Sequence, residues 1–439
     1  LIADLSLRLP TGGSQDSFND ILIDASVQES SIGLEDIRSF VPNISGSDSF
    51  VIDQLTFSGT PNKFSLDSLR LSLPDSNFSG SLSFNNSEKT SNLVIDELII
   101  NPEDILAFVP SLAQSQVDFL KHLGTSKMTG ELTRRFSNHK INMAVYTSFG
   151  LLDVAVDFLK KDTQTPSFYD GKIHGNQYDM GGLLKQNTLG ISDFSFDIKG
   201  KGLKLNLLDT ELNGYFSSFS YQDIKLDTIS VNLDAKYGQI IGSVDINDSE
   251  AKIQVEGEFN VNDSLQKLSA FAEVNQLKLK SFFPSTFKKE RDFSGNFEIV
   301  SLGEQINDFI GDIKANAVQI NIDDQRYTFE DFTIQSRVNK DLRFFNFQSV
   351  DFINGLIYGR FELLDIEKMF RNSFGSYFSN FQSIEVDQSS FMNFNINLKE
   401  KFSGAFLEQI IIPDDSFFRG KLSADPNDTF FQMDIPKIR

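Results

Sequence analysis

The chain has 439 residues, with 40 Lys plus Arg against 61 Asp plus Glu, a net charge of −21 at pH 7. That acidity argues against a nucleic-acid partner and against tight electrostatic binding to anionic headgroups, since both need a cationic face. Cys is absent and only three His occur (His122, His139, His174), which removes disulfides and thiol chemistry and nearly removes histidine chemistry. Phe is the outlier at 44 residues with no Trp, so the aromatic content is almost wholly apolar. No run of 18 apolar residues exists, so no membrane-spanning helix is expected in this stretch. The start at Leu1, inside a strand-like run and without Met, reads as a piece of a longer protein.

In chain order, a short helix is expected near 34–42, over Asp36-Ile37-Arg38-Ser39-Phe40-Val41-Pro42. Turn signals at Gly59-Thr60-Pro61-Asn62 and Pro74-Asp75-Ser76-Asn77 bracket alternating runs, and Phe78–Phe84 and Leu93–Ile99 alternate strictly. The clearest helix covers 101–124. Asn101 is a good N-cap, Pro102 suits the first position, Glu103 and Asp104 suit the positive end, and Gly124 can stop it. Pro110 predicts a kink or two short pieces. Asp104 to Pro110 echoes the earlier Asp36 to Pro42, and Lys280 to Pro284 shares the Phe-x-Pro ending. Further short helices are expected near 180–187, 278–287 and 364–374.

The central strands carry the plainest period of two. Phe194, Phe196 and Ile198 alternate with Ser195, Asp197 and Lys199. Leu203 and Leu205 flank Lys204, and Ile229, Val231 and Leu233 flank Ser230 and Asn232. Ile253, Val255 and Phe259 alternate with Gln254, Glu256 and Glu258. Val318–Ile322 and Phe394–Leu398 continue the pattern. Strict alternation marks strands with one dry and one wet face. Turn residues every 8–12 positions imply about 25 antiparallel strands, and helices long enough for parallel crossovers are missing. The expected fold is all-β with a few short helices, a long curled antiparallel sheet forming an apolar trough over one elongated segment, 1–439. Periodicity alone leaves two readings of the dry face open, a closed core or a ligand-filled groove.

No motif carries chemistry. Lys199-Gly200-Lys201-Gly202 lies between alternating strands with no following helix, unlike a phosphate loop. Asp245, Asn247, Asp248 and Glu250 share a turn but lack the Gly-containing twelve-residue calcium loop. No His pair has metal spacing, and no Gly-x-Ser-x-Gly elbow occurs. Neither an enzyme nor a cofactor is expected.

The stretch from Phe168 to Phe259 resembles the AsmA-like superfamily, in particular its TamB-like members of the Bacteroidetes type. The resemblance rests on Tyr178 to Leu184, Leu189-Gly190, Phe194 to Leu203, Leu212-Asn213-Gly214, Phe219-Ser220-Tyr221 and Ile240 to Val244. Phe394 to Leu398, Phe402 to Ala405 and Ile412-Pro413-Asp414 extend it. The resemblance implies a central fragment of a periplasmic chain anchored in the inner membrane by a helix outside this stretch. It further implies a groove for phospholipid acyl chains, an outer-membrane barrel of the BamA superfamily (TamA-like) as partner, and a role in outer-membrane biogenesis. The groove residues expected are Phe194, Phe196, Ile198, Leu203, Leu205, Phe219, Ile229, Val231, Leu233, Val244, Ile246, Ile253, Val255 and Phe259. A chaperone that templates outer-membrane strands by edge addition is the alternative, followed by a spacer with a closed core.

Overall fold

The computed structural model describes residues 2–8, 21–33, 49–108, 114–160, 167–202, 207–222, 224–260, 266–284, 286–303, 309–375, 387, 389–407, 411–423 and 428–436. The helix expected near 34–42 lies outside these residues, as do Leu203, Leu205 and Pro110. The fold is all-β with a few short helices, and the chain divides into two compact units, Leu1–Asp227 and Thr228–Arg439.

In the first unit the strands begin with β1 (Ile2–Arg8), β2 (Leu22–Gly33), β3 (Ser49–Thr60), β4 (Lys63–Ser72) and β5 (Asn77–Asn85). They continue with β6 (Thr90–Ile100), β7 (Ser126–Arg135), β8 (Asn138–Thr147) and β9 (Gly150–Leu159). The last four are β10 (Phe168–Asp179), β11 (Leu189–Lys201), β12 (Asp209–Tyr221) and β13 (Ile224–Leu226). Each pairs antiparallel with the next in sequence, and among the described residues β1 pairs with β2 alone, so this sheet is open rather than a barrel. Three short helices interrupt the series: α1 (Pro102–Phe108), α2 (Gln114–Leu123) and α3 (Met180–Leu184). The expected N-cap is realised, because the Glu103 N–H donates to Asn101 Oδ1 at 2.9 Å. The helix expected over 101–124 is two helices on either side of Pro110. Asp179 caps α3 by accepting from the Gly182 N–H at 2.9 Å, and Lys185 ends it in the left-handed conformation.

The second unit is built the same way. Its strands are β14 (Ile229–Lys236), β15 (Gln239–Asn247), β16 (Ala251–Asn260), β17 (Lys267–Lys278) and β18 (Asp292–Leu302). Next come β19 (Ile310–Ile322), β20 (Gln325–Thr328), β21 (Phe332–Asn339) and β22 (Leu342–Ser349). The unit ends with β23 (Ile353–Arg360), β24 (Phe391–Leu398), β25 (Ser416–Ser423) and β26 (Phe430–Asp434). Sequence neighbours again pair antiparallel, except that β21 pairs with β19 past the short β20, which also pairs with β19. Its helices are α4 (Leu279–Phe282), α5 (Ile366–Gly375) and α6 (Glu400–Phe406). The first two fall where short helices are expected. No alternation or capping signal points to α6, whose Ser403 and Gly404 are weak helix formers, so tertiary contacts override propensity there.

The helices leave the sheet by a recurring local device. In β6, β10 and β17 two residues oppose one near the strand's end, and a helix follows at once. Such a bulge adds twist and turns the chain out of the ladder. Where no helix is needed, tight turns suffice. Tyr237 and Gly238 join β14 to β15 with φ of 50° and 89°, as a two-residue hairpin turn requires. Among the described residues no helix is long and apolar enough to cross a membrane.

Candidate functional site

Antiparallel registry decides which residues share a face, because directly paired residues point the same way. In the first unit one unbroken row runs across β1 to β12. It passes through Leu5, Ala25, Phe57, Leu66, Leu82 and Leu93. It goes on through Leu132, Ile141, Val156, Gly171, Ile198 and Leu212. At about 4.8 Å per strand this is a path of roughly 50 Å. From Ala25 to Leu212 its side chains are half-buried. A second sheet packed face to face would bury such residues fully.

Beside this row the Phe residues form a cluster. Phe196 pairs with Gly214, and Phe194 with Gly175 on one side and Phe216 on the other. Ring centroids stand 5.6 Å apart for Phe194 and Phe196, 5.8 Å for Phe194 and Phe216, and 5.1 Å for Phe216 and Phe219. Tyr178 closes the group edge-on at 6.0 Å from Phe194. The rings lie down over glycines. A Cβ on Gly175 would come within 2.3 Å of the Phe194 ring, and one on Gly214 within 2.6 Å of Phe196. Glycine opposite Phe lets a large ring cover the sheet instead of standing off it.

In the second unit, β14 to β16 align three residues per row: Ile229–Ile246–Ile253, Val231–Val244–Val255 and Leu233–Gly242–Gly257. Phe259 pairs with Ile240 and Leu268 on the same face. Ile229 is 6% exposed, and Val231, Leu233, Val244, Ile246, Ile253, Val255 and Phe259 are half-buried. All eight groove residues expected in this unit therefore share one face. Among the described residues of β14 to β17, that face carries no charged side chain. Phe194, Phe196, Ile198 and Phe219 likewise share one face of the first unit.

Sequence reasoning missed Phe216 and Tyr178. A register shift between Asp193 and Phe194 puts an extra residue in β12, so Phe216 and Phe219 share a face at an odd spacing that alternation does not anticipate. Tyr178 likewise follows the bulge in β10.

The opposite face is wet and charged. Across β8 to β12 the row reads Lys140, Asp157, Asp170, Lys199 and Glu211, lining a concavity of about 590 Å³. Lys140 meets Asp157 at 3.2 Å, Lys199 meets Asp170 at 3.6 Å and Lys201 meets Asp209 at 2.9 Å. Both lysines of Lys199-Gly200-Lys201-Gly202 thus face carboxylates across the ladder. Such exposed pairs add little stability but oppose register slips.

In the second unit the acidic turn after β15 is tied down. Glu250 meets Lys278 Nζ at 2.9 Å and accepts from the Ser281 hydroxyl in α4. These contacts, the Ser281 hydrogen bond foremost and then Lys278, hold the Glu250 carboxyl below its usual range. Among the described residues no group of three or more His, Asp and Glu is placed to hold a metal.

Beyond β18 the same face is covered. Ala315, Val318, Ile320, Ile322 and Phe329 form a closed core with Ala405 of α6. Phe345, Phe361, Met392, Phe394 and Leu422 form another with Met369 of α5. Ile320, Met369, Ala405 and Leu422 are 0% exposed. No protein-family model, curated protein or solved structure matches this chain.

Proposed function

We propose that this chain is a segment of a lipid carrier whose sheet face holds phospholipid acyl chains. The observation that carries the reading is the half-buried apolar face that runs through successive strands of each unit, uncharged across β10 to β12 and across β14 to β17. Backbone donors and acceptors there are consumed by the ladders, so the face offers contact without hydrogen bonds. Such contact contributes about 25 cal/mol per Å² of apolar surface, or about 0.8 kcal/mol per methylene, whatever the direction of approach. A lining with no fixed polar contacts discriminates poorly among lipids and resists sliding little. Half of a bilayer's hydrocarbon core is about 15 Å thick. The first unit's row is several times longer, which supports several lipids in file. Headgroups would remain in water, near the strand ends. The residue resemblance adds a setting to this reading: a periplasmic bridge between inner and outer membranes, ending on a BamA-superfamily barrel and serving outer-membrane biogenesis.

The test is detergent-free purification of the chain from bacteria, followed by mass spectrometry of co-purifying phospholipid against a soluble protein of similar size. Several lipids per chain are expected. Lipid at the control level, with binding to unfolded outer-membrane strands instead, would replace the carrier by a strand-templating chaperone.

A further inference from the structure

The second unit's apolar face changes character within a single cross-strand row. The row runs Val231, Val244, Val255, Ala272, Phe297, Ala315 and Phe332 across β14 to β19 and on to β21. Its first five members are half-buried, Ala315 is 1% exposed, and Phe332, itself half-buried, packs against the same core as Ala315. What intervenes is α6. Small residues let this helix sit down on the sheet: Ala405 packs in one core with Ala315, and the Gly404 backbone lies close enough to Tyr327 that an added Cβ would stand 3.0 Å from its ring. Phe402 and Phe406 then lie against Phe352, with ring centroids at 5.1 and 5.6 Å.

The helix is also locked by polar contacts. Arg291, 2% exposed, donates from Nε to the Ala405 carbonyl at 2.9 Å and from Nη1 to the Lys289 carbonyl at 3.2 Å. Its guanidinium lies 4.9 Å from the centroid of the Phe287 ring. Ser403 Oγ accepts from the Ile412 N–H at 2.9 Å, and Lys401 pairs with Asp351. A buried guanidinium that donates to the carbonyl of a helix's last turn ties that turn to the sheet, because moving the helix away removes its acceptor in a site closed to water.

We propose that α6 is a fixed stop in the lipid path, and that Arg291 is the positioning residue that keeps it seated. This inference rests on the lipid reading of the face. Acyl chains then have access to β14 through β18 and are excluded from β19 and β21, so lipid leaves this face sideways over the strand ends rather than along the row past Ala315.

Photocrosslinking in living bacteria tests both claims separately. Benzoylphenylalanine is placed singly at Val255, at Phe332, which packs against the core of α6, and at Ile334, which packs against the core of α5, each checked for native β-sheet circular dichroism. Irradiation and mass spectrometry then count phospholipid adducts. The expected result is adducts at Val255 and a yield at least about ten-fold lower at both covered positions, equivalent to ~1.4 kcal/mol of exclusion. Arg291→Met should raise the yield at Phe332 toward that at Val255, and Arg291→Lys, which keeps a cationic donor, should restore much of the exclusion. Equal adducts at Val255 and Phe332 in the unaltered background would overturn the stop and leave the carrier standing. Adducts at neither position would overturn the lipid reading and the stop together. Low yield at Phe332 that Arg291→Met leaves unchanged, with the sheet intact, would remove Arg291 from its role.

Discussion

Strands β14 to β17 and strands β19 to β25 present the same alternation but reach opposite ends. In the first group Val231, Val244 and Val255 are half-buried and belong to neither of the two helix-capped cores. In the second, Ile320, Met392, Phe394 and Leu422 are buried under Met369 of α5 and Ala405 of α6. Apolar character does not separate the two groups, since both faces are mainly aliphatic and aromatic. What differs is the connection. The link after β17 carries only the four-residue α4, while the links after β23 and β24 carry α5 and α6, which fold back over the sheet. An apolar face becomes a dry core only when the chain supplies its own cover.

Introducing a charge should separate the two regions most widely. Phe394→Asp places a carboxylate in a closed core and should cost more than about 4 kcal/mol, unfolding at least the second unit. Val231→Asp should leave urea unfolding near that of the parent while lowering co-purified lipid. Unfolding by both changes alike would make the first region a core as well. Truncation gives the next effect. Leu422→Ala should destabilise by about 2–5 kcal/mol through transfer and cavity terms, whereas Val244→Ala should cost less than about 1.5 kcal/mol because its neighbourhood is already open to water. Matching shifts of the unfolding midpoint would erase the distinction.

In the first unit, Gly175→Ala should cost about 1–3 kcal/mol by overpacking against Phe194, and Gly175→Ala with Phe194→Leu should recover part of that loss. A neutral single change would mean the ring does not lie over Gly175. The smallest effect concerns acid. Glu250 has its carboxyl pKa lowered by Ser281 and Lys278, so its contribution is present above its unfolded pKa near 4.5 and is lost as pH falls through the lower folded value. Thermal unfolding followed from pH 7 to pH 3 should lose stability more steeply in the parent than in Glu250→Gln; parallel curves would remove this carboxylate from the account.

Much of the fold was legible because alternation is local. Ile253 to Phe259 names its own dry and wet sides in seven residues, and Gly59-Thr60-Pro61-Asn62 marks a reversal. Asn101 and Pro102 announced α1 for the same reason, since a cap needs only its own turn. Bulges were not legible. The extra residue in β12 brings Phe216 beside Phe219, and only the partner strand shows it. The helix α6 was hidden because Ser403 and Gly404 are weak helix formers, and what seats them, Gly404 against Tyr327 and Ala405 in one core with Ala315, comes from distant strands.

By itself, then, the amino-acid sequence determined an acidic, cysteine-free chain of antiparallel strands, each with one apolar face, because side-chain alternation is built into the strand's two-residue repeat. Only the tertiary structure decided which residues line up across strands, where Phe rings fold down onto glycines, and where that face is roofed. Those outcomes depend on register and on what packs from distant parts of the chain, and no local pattern encodes either.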